Sequence, residues 1–189
     1  MKRHLLSVLV VALAAIALEP AAQAQDYPKV EVFGGYSYFH SQAGTSFTVG
    51  QSFNGASGSV AVNPNRWLGL AGDFGFYHSH PGDVSDNIFS YVFGPKIAYR
   101  SHEQFTPYFH ALFGGAHVCA SVRGGSCASS GNSFAFAVGG GLDLRLTQNI
   151  AARAVQAEYV RTDLTDFADN RHNNVRISAG IVFRWGSSK

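Results

Sequence analysis

The chain has 189 residues, with 14 Lys and Arg against 12 Asp and Glu, 46% hydrophobic and 13% aromatic residues, 21 glycines and two cysteines. That length suits one domain, and the near balance of charge excludes the basic stripe of a nucleic-acid binder. After the first two dozen residues no apolar run reaches the roughly 20 residues of a spanning helix, so if the chain enters a membrane it must do so as strands.

Lys2 and Arg3 form a charged start, Leu5 to Leu18 an apolar stretch, and Ala22-Gln23-Ala24 a small-residue cleavage site. This is the pattern of a cleaved signal peptide over residues 1–24, with the mature domain over residues 25–189. The apolar stretch is too short for a membrane anchor, and no Cys follows it to be acylated. Taking Lys2, Arg3 and Glu19 away leaves 12 basic and 11 acidic residues. Cys119 and Cys127, the only cysteines of an exported chain, predict a disulfide closing a short Gly- and Ser-rich loop.

The mature chain then reads as strands. Over residues 30–40, Val30, Val32, Gly34, Tyr36 and Tyr38 alternate with Glu31, Gly35 and Ser37, while Phe33 and Phe39 blur the pattern. A second, weakly patterned run covers residues 53–63, and Asn63-Pro64-Asn65-Arg66 signals a turn. In the third run Leu68, Leu70, Phe74 and Phe76 alternate with Gly69, Ala71, Asp73 and Gly75. The fourth, residues 88–100, sets Phe89, Tyr91, Phe93, Ile97 and Tyr99 against Ser90, Gly94, Lys96, Ala98 and Arg100. Its Pro95 lacks a ladder donor, which predicts a bulge or local distortion at Gly94-Pro95.

A fifth run over residues 105–118 places Phe109, Ala111 and Phe113 opposite Thr106, Tyr108, His110 and Gly114. The sixth, residues 133–146, alternates most clearly, with Phe134, Phe136, Val138, Leu142, Leu144 and Leu146 against small residues, Asp143 and Arg145. In the seventh, residues 150–162, Arg153 has the opposite parity to Gln156 and Glu158, so one face holds all three only if a bulge lies between them. The eighth, residues 174–185, sets Val175, Ile177, Ala179, Ile181, Phe183 and Trp185 against Asn174, Arg176, Ser178, Gly180 and Arg184.

Connections near residues 63–66, 101–104 and 147–149 are short, whereas those near 41–52, 79–87, 119–132 and 163–173 are long and polar. Short turns at one end and longer loops at the other, joining strands of about 10 residues, are features of a transmembrane barrel. The less apolar face consists of Gly, Ala, Ser and scattered charges, which suits the narrow lumen of an eight-stranded barrel better than a solvated exterior. The expected fold is all-β, an eight-stranded antiparallel up-and-down transmembrane β-barrel. A soluble lipocalin-like barrel or a periplasmic sandwich is the fold alternative. Tyr38, Phe76, Phe89, Tyr99, Phe105, Phe134, Tyr159, Phe183 and Trp185 would form interfacial girdles.

In the last strand Ser178, Gly180, Phe183 and Trp185 match the spacing of the C-terminal signal read by the outer-membrane barrel-assembly machinery, although Gly186 to Lys189 follow. Together with VEVFGGYSYFH, NRWLGLAGDFG, FGPKIAYR and PYFHALFGGAHV, this stretch makes the mature chain resemble the small OmpA-like and Opa-like porin superfamily. The resemblance covers nearly everything after the signal peptide. It implies a Sec-exported, monomeric protein of the bacterial outer membrane, embedded in outer-membrane lipid and assembled by that machinery. No peptidoglycan-binding domain is expected, since none is seen before Lys189.

Inward charges are the first functional candidates: Glu31, Asp73, Asp143 and Glu158 against Lys96, Arg100, Arg145, Arg153, Arg176 and Arg184. They read as an ion path or as a salt-bridged plug, and the plug is the expectation because buried charges are normally paired. His40, His78, His80, His117 and His172 gather at the long-loop end, which raises a metal-binding or pH-responsive rim. No ligand-spaced acidic or Cys cluster accompanies them. His78-Ser79-His80 supplies the residue types of a lipid-modifying enzyme, but neighbours in a strand point to opposite faces. Accordingly no catalytic residue, cofactor or metal site is assigned and no enzyme activity is expected. A structural or surface-interaction role through the outer loops is expected, with passive transport of small solutes as the alternative. Asp83, Asp86, Asp163, Asp166 and Asp169 read as solvated loop charge. Nothing in the loops identifies an extracellular ligand.

Overall fold

The computed structural model describes residues 27–41, 51–79, 84–102, 104–122, 129–164 and 171–186. The predicted signal peptide, His80 and Cys127 lie outside the described residues. Eight strands follow one another: β1 (Val30–Ser41), β2 (Gln51–Val62), β3 (Leu68–Ser79), β4 (Val84–Ala98), β5 (Phe105–Val122), β6 (Ser129–Arg145), β7 (Ile150–Leu164) and β8 (Arg171–Trp185). Each pairs antiparallel with the next, and β8 pairs with β1 to close the barrel, Val30 opposite Trp185 and Ser41 opposite Asn174. Closure leaves no unpaired sheet edge, the condition for strands to lie in hydrocarbon.

Alternation decides which way each side chain faces. Leu70, Phe74, Phe76, Phe93, Ile97, Phe109, Phe113 and Phe183 are exposed, whereas Asp73, Lys96, Asp143, Glu158 and Arg176 are buried. Such a surface, apolar outside and charged inside, inverts that of a soluble protein. The expected girdle residues all lie on the exposed face.

The seam between β8 and β1 brings Gly180 opposite Gly35. A methyl group at Gly180 would run into the backbone of Gly34 and Gly35, so only glycine allows this approach. Gly186 turns the chain off the strand with a φ of 73°, a conformation that favours glycine. At the short-turn end, Asn65 Oδ1 accepts from the backbone of Leu68 at 2.7 Å and of Trp67 at 3.1 Å, fixing the β2–β3 turn. Buried Asn63 donates to Pro28 O at 2.8 Å and ties that turn to the entry of β1.

Three sequence expectations change. First, of the bulge or local distortion expected at Gly94-Pro95, the structure shows a local interruption of the β4–β5 ladder and no bulge. The β3–β4 ladder runs through both residues and β4–β5 keeps one register from Phe93–Phe113 to Lys96–His110, skipping only the pairs between. The missing prolyl donor interrupts the ladder without displacing it. Second, strands extend beyond the expected ends on the long-loop side, to Val84, Val122, Ser129, Leu164 and Arg171. In segments such as Ser129-Ser130-Gly131-Asn132 and Arg171-His172-Asn173-Asn174 successive residues do not alternate between apolar and polar, while ladder pairing continues. Third, Phe33 and Phe39 face inward and are buried, so the lumen is not restricted to small and charged side chains. The bulge expected in β7 is present: its register shifts against both β6 and β8 around Ala154 and Val155, placing Arg153, Gln156 and Glu158 all inside.

Candidate functional site: the barrel lumen and its outer rim

A continuous polar network fills the lumen from the short-turn end to its middle. Glu31 of β1 pairs with Lys96 of β4 at 2.6 Å and with Arg100 at 3.2 Å, and Arg184 of β8 approaches it at 3.9 Å. Arg184 also lies 3.8 Å from Asp143 of β6, which accepts two bonds from Arg153 at 2.8 and 3.2 Å. The Arg153 guanidinium is held between two rings, 4.3 Å from the centre of Phe33 and 4.6 Å from that of Tyr108. The inward aromatic of β1 thus organises a charge by cation–π attraction.

The β7 bulge links this group to a second. Gln156 Oε1 accepts from Arg153 at 2.7 Å and from Tyr108 at 2.6 Å, while its amide donates to Glu158 at 2.8 Å. Glu158 takes a two-pronged bond from Arg176, at 2.5 and 2.7 Å, and lies 2.8 Å from His110 Nε2. Arg176 reaches across the lumen to Asp73 at 2.7 Å and Tyr77 at 2.9 Å. Fork-shaped Arg–carboxylate pairs fix direction as well as charge. Through the single bond from its Nη1 to Asp73, Arg176 also ties β8 to β3, strands that share no ladder.

Towards the long-loop end the filling becomes apolar. Phe39, Phe53, Tyr77, Ala116, Ala135 and Val160 pack in one buried cluster that also includes Leu112. The rings of Phe39 and Tyr77 lie 5.1 Å apart, and those of Phe39 and Phe53 meet edge to face at 6.2 Å. Two small cavities remain in the lumen among the described residues, one beside Glu31, Lys96 and Arg153 and one beside Phe39, Tyr77 and Arg176. Each holds little more than a single water, far from an open bore.

Nine of the ten predicted inward charges join this network. The exception is Arg145: half-buried at the short-turn end of β6, it has no ion pair among the described residues. Its position at the end of the strand, next to the turn, takes it away from the packed lumen. Conversely, Tyr77, Tyr108, His110 and Gln156 are network members that their residue type did not mark. Their shared inward parity was the available signal.

The three rim histidines whose side chains are described each have their own cross-strand partner. His40 Nδ1 lies 3.1 Å from Ser52 Oγ, His78 Nδ1 2.6 Å from Asn87 Oδ1, and His117 Nδ1 2.9 Å from Asn132 Oδ1. His80 and the His172 side chain lie outside the described residues, as do the side chain of Asp86 and those of the other predicted loop acids. Among the described residues no three His, Cys, Asp or Glu side chains are placed to hold a metal ion. β3 continues through Ser79, whose side chain lies outside the described residues. Cys119 is half-buried near the end of β5, and the expected disulfide to Cys127 falls outside the described residues.

A closed eight-stranded barrel with a lipid-compatible exterior and a salt-bridged interior defines the class of transmembrane outer-membrane barrels. The family model of the outer membrane protein beta-barrel domain matches residues 7–183, and the chain belongs to that family, as a protein of the bacterial outer membrane. Among solved structures, Neisserial surface protein A is similar, with a TM-score of 0.71 and 14% identity over 83% of this chain and 97% of its own. The attachment invasion locus protein Ail of Yersinia pestis gives a TM-score of 0.57 and 19% identity over 82% and 99%. The N-terminal barrel of Pseudomonas aeruginosa OprF gives 0.52 and 17% over 85% and 100%. No curated protein matches the sequence.

Proposed function

We propose that the protein is a monomeric, non-catalytic scaffold in the outer membrane, whose structural or surface-interaction role is exercised at its outer end rather than through its lumen. The observation that carries this reading is the plug: nine charged side chains close the lumen with direct ion pairs, and an apolar layer lies above them. A solute would have to separate buried pairs to pass. What remains available for recognition is the outer end, formed by the connections over residues 42–50, 80–83, 123–128 and 165–170 on a rigid wall. A Cys119–Cys127 disulfide would constrain the third of these. The names of two barrels of similar fold, a surface protein and an attachment invasion locus protein, agree with an exposed role. Recognition of the last strand by the assembly machinery completes the proposal.

Bacteria displaying the full chain would be tested for adhesion to heparin-coated surfaces and cultured epithelial cells. Four variants, each with one connection exchanged for a Gly-Ser segment of equal length, provide the comparison. At least one exchange should lower adhesion about fivefold or more, while the heat-dependent gel mobility of a folded barrel is retained. Equal adhesion by all four variants and by cells lacking the protein would contradict a loop-borne role.

A further inference from the structure

The charges of the lumen do not balance. Among the described inward residues Lys96, Arg100, Arg145, Arg153, Arg176 and Arg184 face four carboxylates, Glu31, Asp73, Asp143 and Glu158. The excess lies at the short-turn end. There Lys96, Arg100, Arg153 and Arg184 share only Glu31 and Asp143, and Arg145 follows Asp143 on the same face, roughly 7 Å nearer the turns by strand rise. Four of these five cations are arginines, which keep their charge at any working pH.

Hydrogen bonding shows the same shortage of acceptors. Arg100 Nη2 and Arg184 Nε approach one oxygen, Glu31 Oε1, at 3.2 and 3.9 Å, while Arg184 Nη2 stops 3.8 Å from Asp143 Oδ2. Three buried guanidinium nitrogens, Arg100 Nε and Arg184 Nε and Nη2, have no acceptor. A closer approach of Arg184 does not cure this. Both oxygens of Asp143 already accept from Arg153, Glu31 already serves Lys96 and Arg100, and the movement gives neither Arg100 Nε nor Arg145 a partner. Donors that the protein leaves unpaired are normally met by water or an ion, and only an ion also answers the charge.

We infer that the short-turn mouth of the lumen binds one small inorganic anion of about the size of chloride, beside Arg145 and Arg184 and on the turn side of Glu31 and Asp143. The fold brings these arginines to one place. Arg145 ends β6, and the turn after it is bonded to Arg184: Arg184 N donates to Asn149 O at 2.8 Å, and Asn149 Nδ2 donates to Arg184 O at 3.1 Å. Arg100, beyond the end of β4, joins them through Glu31. Half-buried and without an ion pair among the described residues, Arg145 is the cation an anion entering from the turn side meets first. The narrow bore of an eight-stranded barrel sets the size of the ligand. Beyond Glu31 the packed pairs stop it, so the anion offsets part of the excess charge without opening the plug.

The test uses the full mature protein in chloride-free octyl glucoside, with chloride as the probe and the line width of its NMR signal as the readout. Broadening by the protein should saturate as chloride is added. Arg145→Gln should weaken binding about tenfold, the loss expected on removing one charge-assisted contact. Arg145→Lys, which keeps the charge, should stay within about threefold of the unmodified protein. Arg161→Gln, at the opposite end of the barrel, should change nothing. Crystals grown with bromide in place of chloride should show an anomalous peak beside the guanidinium groups of Arg145 and Arg184. Equal broadening by the unmodified protein and Arg145→Gln, both shown to be folded by heat-dependent mobility, would overturn the inference. So would a bromide crystal in which Arg184 closes directly onto Glu31 and Asp143 with no anion at the mouth, a network completed by its own carboxylates.

Discussion

The two halves of the lumen solve one filling problem by opposite chemistry. From the short turns to the middle, charges and amides meet in directional bonds, and many of these join strands that are not neighbours, such as Arg176 with Asp73 and Lys96 with Glu31. Beyond Tyr77 the filling is mainly aromatic and aliphatic, with only isolated polar contacts such as that of Asn174 with Thr162. The contrast teaches that a narrow barrel does not need a polar interior as such. The ion pairs specify which strands stand opposite each other across the lumen, and the apolar layer fills space towards the long-loop end.

Removing Arg176 should produce the largest effect. Arg176→Met leaves Asp73 and Glu158 buried without their shared cation, and should cost about 4 kcal/mol in urea unfolding followed by Trp fluorescence in lipid vesicles. The triple variant that also carries Asp73→Asn and Glu158→Gln should recover part of that loss, because the uncompensated charge is gone. Equal loss in both would show that the network acts through packing, like the other half. Leu112→Ala, fully buried where the two halves meet, should cost about 3 kcal/mol through a cavity and should have no polar variant that rescues it.

At the closing seam, Gly180→Val should cost about 2 kcal/mol, because its side chain meets the backbone of β1. A neutral result would mean that β8 and β1 can separate locally without loss. Arg145→Gln should shift stability by less than about 0.5 kcal/mol, since this residue stands outside the network. A loss comparable with that of Arg176→Met would place it inside.

Much of this division could be read from the residues. Alternation separated Phe74 and Phe76 from Asp73, and Val175 and Ile177 from Arg176, because lipid and lumen demand opposite side chains. The parity conflict between Arg153 and Glu158 announced the β7 bulge. Less could be read where that demand lapses. Phe33 and Phe39 are large and apolar yet face inward, one stacking on Arg153 and the other filling the outer lumen, and residue type alone cannot separate these roles from lipid contact. His110 and Gln156 looked ordinary because their importance depends on reaching Glu158, a partner 48 residues from His110 in the chain. The outer strand extensions were hidden because successive residues there, as in Arg171-His172-Asn173-Asn174, do not alternate between apolar and polar.

The claim that the lumen is closed is tested most directly by planar-bilayer recording of the purified, refolded protein in symmetrical 1 M KCl. Ion pairs and an apolar layer filling the bore predict no stable conductance of general-porin size. A reproducible open channel of that size in the unmodified protein would contradict the plugged barrel and return passive solute transport as its function.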